Sequence, residues 1–278
     1  MSAAFVRRLI DHAAAPYRAA GRFAWHFARG KLGGDPVFAG LLEHALIPDQ
    51  ARILDIGCGQ GLLTSWLRSA KALHDEGLWP AQFPAPPNPH VIHGIEIMPR
   101  DVARARSALG SGATFTQGDM CKVDFGNANV VVILDVLHYV NIVAQDEVLK
   151  KVRDALAPDG TLILRIGDAG AGLPFKFSNW VDQTVFFARG HGLIDLHCRP
   201  LAVWCSALAD LGFTVTTLPM NKGTPFANML LVAKLAARAN PSTNALPAPA
   251  TEVSSEAVTY IKNSIKSNTY NNIAQCAP

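Results

Sequence analysis

The sequence predicts a doubly wound α/β domain, and three observations lead to that prediction. Short apolar runs alternate with segments of helical spacing over most of the 278 residues. A glycine-rich turn follows the first apolar run directly, and the polar residues of a later run stand at its carboxyl end. In an open parallel sheet the carboxyl ends of the strands form the edge at which ligands bind. We therefore expect a binding site at that edge.

The composition is that of a globular protein, with 49% hydrophobic and 17% charged residues. No run reaches the roughly 18 apolar residues that a membrane span needs, and the N-terminus lacks the pattern of a signal peptide. The five cysteines are odd in number and unpaired in spacing, which indicates reduced thiols. We therefore expect a cytoplasmic protein. Its histidines and cysteines show no C-x-x-C or H-E-x-x-H spacing, so we predict no metal site.

Residues 1–48 are predicted to form a helical cap rich in aromatic side chains. The first 34 residues carry six basic side chains and one acidic one, a net charge of +5, whereas the remainder of the chain carries −2. Such a segment can pack its apolar side on the domain, lie on an anionic membrane surface or acidic carrier, or bind nucleic acid. The cap is favoured, and a weak membrane-surface contact stays open.

The domain is organised around residues 53–61, which read Ile-Leu-Asp-Ile-Gly-Cys-Gly-Gln-Gly. An apolar strand ends in an acid, three glycines follow at every second position, and a helical pattern begins at Leu62. Glycines allow a ligand to lie against the backbone, and the amides of a helix N-terminus favour an anion. The spacing is not the G-x-G-x-x-G of dinucleotide sites, and no acid ends a strand about 20 residues later. NAD is therefore disfavoured.

Residues 54–61 closely resemble motif I of the class I S-adenosylmethionine-dependent methyltransferases, and further matches continue in order to about Leu235. The resemblance implies a Rossmann-like, seven-stranded, mostly parallel sheet with an antiparallel last strand, and S-adenosyl-L-methionine as cofactor. In this loop it implies cofactor contacts from Asp55, Gly57, Cys58, Gly59 and Gly61. N-terminal helices often cover the pocket in this family, which makes Tyr17 and a loop at residues 30–36 candidate site walls. That loop is equally explained as a helix end and restart.

The second strand, residues 91–96, follows a Pro-rich surface insertion at residues 78–90. Its terminal acid, Glu96, is suited to accept both hydroxyls of a ribose, and the resembling family places an acid here for that purpose. Ile97 follows it as a further cofactor candidate. After a helix at residues 101–109, the third strand at residues 114–117 leads to Asp119 and Met120. The resemblance implies that these residues contact the adenine amino group and ring.

The fourth strand, residues 130–135, carries its polar residues at or beyond its carboxyl end: Asp135, His138 and Tyr139. Asp135 is a cofactor candidate. His138 and Tyr139 are candidate catalytic residues, since a histidine has an ordinary pKa of about 6.5 and can remove a proton from a hydroxyl or amine. The alternative is that residues 137–139 only begin a helix beside the pocket, as similar triplets do in many methyltransferases.

The remaining elements complete the predicted methyltransferase domain, residues 49–239. A helix at 146–156 and a strand at 161–166 precede a lid or acceptor loop at 168–200, which contains the third candidate base, His191. A helix at 201–211 and strands at 213–218 and 226–235, joined by a hairpin at 221–225, end the domain. Residues 240–278 are rich in Pro, Ser, Thr and Ala, which predicts a flexible tail.

The expected function is methyl transfer by in-line displacement to a small or medium organic acceptor. Residues 30–38 and 133–140 also resemble methyltransferases of bacterial aryl polyene or related polyketide-type pathways, which implies a phenolic or carrier-bound aromatic acceptor. A nucleic-acid or protein methyltransferase is disfavoured, because no Asn/Asp-Pro-Pro-Tyr sequence follows the fourth strand and the basic charge is confined to the N-terminus. A non-catalytic cofactor-binding module would carry the same motifs.

Overall fold

The computed structural model describes residues 1–171, 196–220 and 227–235. The strands in these residues are β1 (Arg52–Ile56), β2 (Val91–Glu96), β3 (Thr114–Gln117), β4 (Ala128–Leu134), β5 (Leu156–Gly167), β6 (Phe213–Pro219) and β7 (Asn228–Leu235). The helices are α1 (Ala3–Ala14), α2 (Arg22–Gly34), α3 (Pro36–Glu43), α4 (Leu62–Asp75), α5 (Pro99–Leu109), α6 (Ile142–Ala155) and α7 (Leu201–Asp210). Short 3-10 turns lie at Ala15–Arg18, Gly110–Gly112 and Leu137–Tyr139.

The seven strands form one sheet in the order β3-β2-β1-β4-β5-β7-β6. β7 runs antiparallel to β5 and β6, its neighbours on either side, and the other adjacent strands are parallel. This confirms the predicted fold class. Ile56 at the end of β1 pairs with Ile95 of β2 and with Ile133 of β4. The loops that follow these three strands therefore open at the same level, along the carboxyl edge of the sheet.

Alternate residues of the central strands face opposite sides of the sheet, and helices cover both sides. On one side, under the N-terminal helices and α4, the strands contribute Ile53, Val130, Val132, Ile163 and Leu230. On the other side, under α6 and α7, they contribute Leu54, Val131, Ile133, Leu162 and Leu231. No helix in the described residues is both long and apolar enough to cross a membrane.

Several predicted boundaries are wrong. The helix predicted to begin at residue 146 begins at Ile142. The fifth strand begins at Leu156, five residues before the predicted start, because Leu156 pairs with Ala128 across an irregularity in the β4–β5 ladder. Residues 30–36 form no loop: α2 continues to Gly34, and Asp35 alone separates it from α3, which is the helix end and restart that the sequence offered as the alternative. The hairpin at 221–225, the tail, and all of the lid except its two ends lie outside the described residues.

The N-terminal helices pack on α4 and are tied to it by side-chain hydrogen bonds. Ser65 Oγ donates to the carbonyl of Ala13 at 2.6 Å, and Trp66 Nε1 donates to the carbonyl of Phe38 at 2.7 Å. Both side chains are buried, so each bond satisfies a polar group that water cannot reach. The segment thus forms part of the folded core.

A cluster of four charged side chains joins the α2–α3 junction to the ends of β4 and β5. The Arg165 guanidinium, whose side chain is only 1% exposed, donates to both carboxylates of Asp35 and Asp135. Lys31 Nζ lies 2.7 Å from Asp35 Oδ2 and 3.5 Å from Asp135 Oδ2. Burial opposes the charge of Asp35, but Arg165 outweighs it and holds the pKa of this carboxyl below its usual range. The two acids and two bases balance each other at the sheet edge.

Replacing Arg165 by Met is expected to destabilise the protein by about 3–5 kcal/mol at pH 7, because two carboxylates lose their main counter-charge. In wild type these depressed pKa values contribute stability above about pH 4, which is lost as the pH falls further. In the variant, burial would instead raise the pKa values, so its deficit should be smaller at pH 5 than at pH 7. Urea unfolding at both pH values measures this.

The control is Arg153→Met, because Arg153 is about half exposed on α6. Its effect should stay within about 0.5 kcal/mol. A deficit of less than about 1 kcal/mol for the Arg165 variant, or one that does not change between the two pH values, would contradict the role of the charge cluster.

Candidate active site

The glycine loop between β1 and α4 takes a conformation that side chains resist. Gly57 and Gly59 have φ values of +72° and +55°. A Cβ on Gly57 would lie 2.4 Å from Val136 Cγ1, so this glycine allows the loop to pack against the end of β4. A Cβ on Gly59 would meet nothing within 4 Å, so the backbone there borders open space. The loop therefore leaves room for a ligand at Gly59.

Glu96, at the end of β2, is bound to this loop. Its Oε2 accepts a hydrogen bond from Gly59 N at 2.9 Å, and its Oε1 accepts one from Met98 N at 2.8 Å. The residue is 8% exposed. Burial raises the pKa of the carboxyl, and the two backbone donors oppose that rise. The carboxylate has a fixed orientation beside the open side of the loop.

Asp55 lies close to Glu96 at the end of β1 and is 4% exposed. Burial, followed by repulsion from Glu96, raises the pKa of Asp55 to about 7. No salt bridge joins either carboxylate to a basic side chain in the part of the chain that the structure describes. The pair thus places two carboxyl groups with raised pKa values close together, and a cationic ligand group would favour their ionised forms.

Asp119 stands in the turn after β3, where its Oδ1 accepts a hydrogen bond from Cys121 N at 2.9 Å. Its Oδ2 lies 3.6 Å from Lys122 Nζ, and the side chain is 19% exposed. Gly118 N donates to the carbonyl of Glu96, which joins this turn to the end of β2. Met120 is partly buried and packs against the cluster under α6. Asp119 Oδ2 therefore has one long ionic contact and can still accept a hydrogen bond from a ligand near Glu96.

Two apolar side chains are exposed beyond the strand ends. Ile97 follows Glu96 and is 53% exposed, and Tyr139, after β4, is 38% exposed. Exposed apolar side chains at the rim of a polar site are typical of ligand contacts. Cys58, by contrast, is buried against Phe115 and α5, and burial raises the pKa of its thiol. Cys58 supports the loop by packing, and its Sγ donates to the carbonyl of Gly59 at 3.6 Å.

The structure places Asp135 in the charge cluster, with φ +59° and contacts to Arg165 and Lys31. His138 lies three residues further, in a short 3-10 turn, and its ring lies 4.2 Å from that of Tyr139. Burial lowers the pKa of His138, while Asp135 raises it and Arg165 lowers it further. His138 therefore stands at the sheet edge as a partly buried side chain whose lowered pKa favours the neutral imidazole.

His138 borders a small cavity of about 10 Å³, which is lined also by Arg165, Cys198 and Trp204. His138 Nε2 and Trp204 Nε1 are both buried and have no hydrogen-bond partner among the described residues. Unpaired buried nitrogens are costly, and two of them beside one cavity indicate a place for a polar atom. Trp204 belongs to the apolar pattern of α7, so no sequence signal marked it as a candidate site residue.

Tyr17 supports the loop from below. It is fully buried, and its hydroxyl donates to the carbonyl of Gln60 at 3.0 Å. Gln60 Nε2 in turn donates to the carbonyl of Ala24 at 2.8 Å, which ties α2 to the glycine loop. Tyr17 is thus a buried support of the loop, whereas the sequence suggested a site wall.

The structure brings together the predicted residues on the loops after β1, β2, β3 and β4. His191 lies outside the described residues, as does most of the predicted lid. Sequence reasoning missed the pairing of Arg165 with Asp35, although an arginine within an apolar strand is a recognisable signal for a buried ion pair. Among the described residues, no group of three or more His, Cys, Asp or Glu side chains could hold a metal ion.

Comparison with known proteins places this arrangement among related folds. The structure is similar to an O-methyltransferase family protein from Burkholderia thailandensis (TM-score 0.53, 19% identity, covering 80% of this chain and 63% of that one). It is also similar to magnesium protoporphyrin IX methyltransferase from Synechocystis PCC 6803, solved with bound SAH (TM-score 0.51, 19% identity, covering 84% and 100%). At this level of identity, the likeness concerns the fold.

In sequence, the chain is 26% identical over 164 residues to a carboxy-S-adenosyl-L-methionine synthase from Chromohalobacter salexigens. The match covers 56% of this chain and 54% of that protein, so the chain spans about half the length of the curated relative. A family model described as a methyltransferase domain matches residues 24–218, which is more than half of the chain and includes every loop of the site described above. The chain belongs to this methyltransferase-domain family.

Proposed function

We propose that the protein is an S-adenosylmethionine-dependent methyltransferase that acts on a small or medium organic acceptor. The observation that carries the proposal is the Glu96 carboxylate held against Gly59 N, at the one loop glycine whose Cβ position is open. A ribose bound there would meet an oriented carboxylate acceptor. The sulfonium of the cofactor would favour the ionised form of Asp55 beside this carboxylate.

The described residues fit this cofactor on three further counts. Asp119 Oδ2, whose contact with Lys122 Nζ is long at 3.6 Å, can accept a hydrogen bond from an adenine amino group. The exposed Ile97 offers an apolar surface to the adenine ring. The buried pair of Asp55 and Glu96 favours a ligand with positive charge, and the cofactor carries both a sulfonium and an ammonium group. A dinucleotide would instead bring two phosphates toward these carboxylates.

Methyl transfer needs alignment, exclusion of water and, for a hydroxyl or amine acceptor, removal of a proton. The bound cofactor supplies an electrophilic methyl group on a sulfonium. The protein's part is to fix the cofactor through the loops after β1, β2 and β3. The acceptor would then approach from the end of β4, where His138 and Tyr139 stand.

The acceptor class we propose is a phenolic or carrier-bound aromatic compound. A hydroxyl in the cavity beside His138 could donate to Nε2 of this neutral imidazole and accept from Trp204 Nε1, which would satisfy both nitrogens. The partly exposed ring of Tyr139 offers an aromatic surface nearby. In this proposal His138 is the base that receives the hydroxyl proton, and Tyr139 contacts the acceptor ring.

Titration calorimetry of the purified protein should show micromolar binding of S-adenosylmethionine and no binding of NAD. Asp119→Asn should weaken the binding about tenfold or more, because the amide retains an acceptor for Cys121 N but offers a donor to the adenine amino group. The matched control is Asp124→Asn, which changes an exposed acid of the same loop and should bind as wild type. Binding of NAD alone, or of neither ligand, would overturn the proposal.

Cofactor binding should release a proton from Asp55. In the free protein the pKa of Asp55 is raised to about 7, so at pH 6.5 most molecules carry the proton. A cation bound beside it would lower that pKa. The apparent enthalpy of binding at pH 6.5 should therefore differ between buffers of different ionisation enthalpy, and affinity should rise from pH 6 to pH 8. Asp55→Asn should remove the buffer dependence, and equal wild-type enthalpies in both buffers would refute the coupling.

Once a phenolic acceptor is found, with 4-hydroxybenzoate as the first compound to screen, His138→Gln should lower kcat about 100-fold or more and leave cofactor affinity unchanged. Because burial lowers the pKa of His138, the wild-type rate should rise with pH and level off below about pH 6.5, and the variant should lack this inflection. His26→Gln, which alters an exposed histidine of α2, serves as control. A wild-type kcat in the His138 variant would exclude it as the base.

A further inference from the structure

We propose that Lys151 is a positioning residue for the adenine end of the cofactor, an inference that rests on the proposed function. Lys151 stands on α6, away from the glycine loop. Its Nζ donates to the carbonyl oxygens of Met120, Cys121 and Val123, at 3.0, 3.3 and 2.7 Å. All three carbonyls belong to the loop that follows Asp119.

The three acceptors match the three donors of an ammonium group, which leaves none of its N–H bonds without a partner. Nζ also lies 4.3 Å from the centre of the buried Phe125 ring, which closes the other side of the site by a cation–π contact. Three carbonyl dipoles directed at one point repel each other unless a cation lies between them. The conformation of this loop therefore depends on the charge of Lys151.

The same loop holds the Asp119 side chain. The carbonyl of Asp119 accepts hydrogen bonds from Lys122 N and Val123 N, and its Oδ1 accepts one from Cys121 N. Met120, Cys121 and Val123 thus each contact Lys151 by their carbonyls, while the backbone N–H groups of Cys121 and Val123 bind Asp119. Lys151 fixes the carbonyl groups of the loop. The N–H groups of the same residues fix Asp119, whose carboxylate is proposed to bind the adenine amino group.

Loss of Lys151 would free the carbonyls to turn toward water and would release Asp119 from its orientation. The expected consequence is a loss of selectivity for the 6-amino group, together with a loss of affinity. The N–H groups of a guanidinium lie in one plane, so arginine cannot donate from a single atom to three surrounding carbonyls. Arginine should therefore restore the function only in part.

The experiment measures the affinity of the full chain for S-adenosylhomocysteine and for its analogue in which hydrogen replaces the 6-amino group of the adenine. The variants are Lys151→Met, Lys151→Arg and, as matched control, Lys150→Met, which alters an exposed lysine one position away on the same helix. For Lys151→Met we expect Kd for S-adenosylhomocysteine to rise about tenfold and the ratio of the two Kd values to fall toward one. For Lys151→Arg, both the Kd and the ratio should lie between those of wild type and Lys151→Met. For Lys150→Met, both should equal those of wild type.

The ratio separates positioning from a general effect on folding, because partial unfolding would weaken both ligands equally. A wild-type ratio in Lys151→Met would overturn the inference, whether or not both affinities fall. If that variant does not fold, Lys151→Gln, which keeps two donors, is judged by the same ratio. Failure of wild type to bind S-adenosylhomocysteine would instead overturn the proposed function and this inference with it.

Discussion

The hydrogen bonds of Glu96 to Gly59 N and Met98 N are the interactions on which the rest of the site depends. They join the loops after two neighbouring strands, and they are possible because Ile56 and Ile95 are in register. A buried carboxylate must be satisfied, and here both oxygens receive backbone donors. The glycine loop therefore has one conformation, and the acid has one orientation. The same hydrogen bond therefore helps to define both the loop and the side chain.

The N-terminal helices depend on this same edge of the sheet. Their basic character suggested partners outside the molecule, yet half of the basic side chains find partners within the segment or at its junction with the sheet. Arg29 pairs with Asp11, Arg18 lies over the ring of Trp25 at 5.3 Å, and Lys31 joins the charge cluster of Arg165. These basic side chains therefore help to hold the N-terminal helices together and on the sheet. Since the cap also reaches the glycine loop through Gln60, it contributes to the site as well as to stability.

The strands and loops proposed to hold the cofactor could be located from sequence because their signals are local. A strand, its glycines and its terminal acid lie within a few residues, and β2 and β3 were predicted with the bounds that the structure has. The errors arose where tertiary contacts determine the bounds of an element or the partner of a side chain. The glycines near residue 33 argued against a helix, but α2 continues through them and packs on α1, with the Cβ position of Gly33 only 3.4 Å from Ile10. The pairing of Arg165 with Asp35 spans 130 residues, and Lys151 on α6 donates to the carbonyl of Val123, 28 residues earlier in the chain. No periodicity in the sequence records such distances.

The distribution of charge along the carboxyl edge explains why the two halves of the site differ. At the ends of β4 and β5, Arg165 and Lys31 neutralise Asp35 and Asp135, so this half presents a balanced and largely buried surface next to His138. At the ends of β1 and β2, Asp55 and Glu96 have no basic side chain in a salt bridge within the described residues, and burial raises the pKa of both. Such a pair is stable only when protonated, bound to backbone donors or paired with an external cation. A cationic cofactor lowers the energy of this half, whereas the phosphates of a dinucleotide would raise it. The carboxyl groups at β1 and β2 would thus favour a cationic ligand. At the ends of β4 and β5, where the charges balance, the shape of the surface and the two unpaired nitrogens of His138 and Trp204 would decide which acceptor binds.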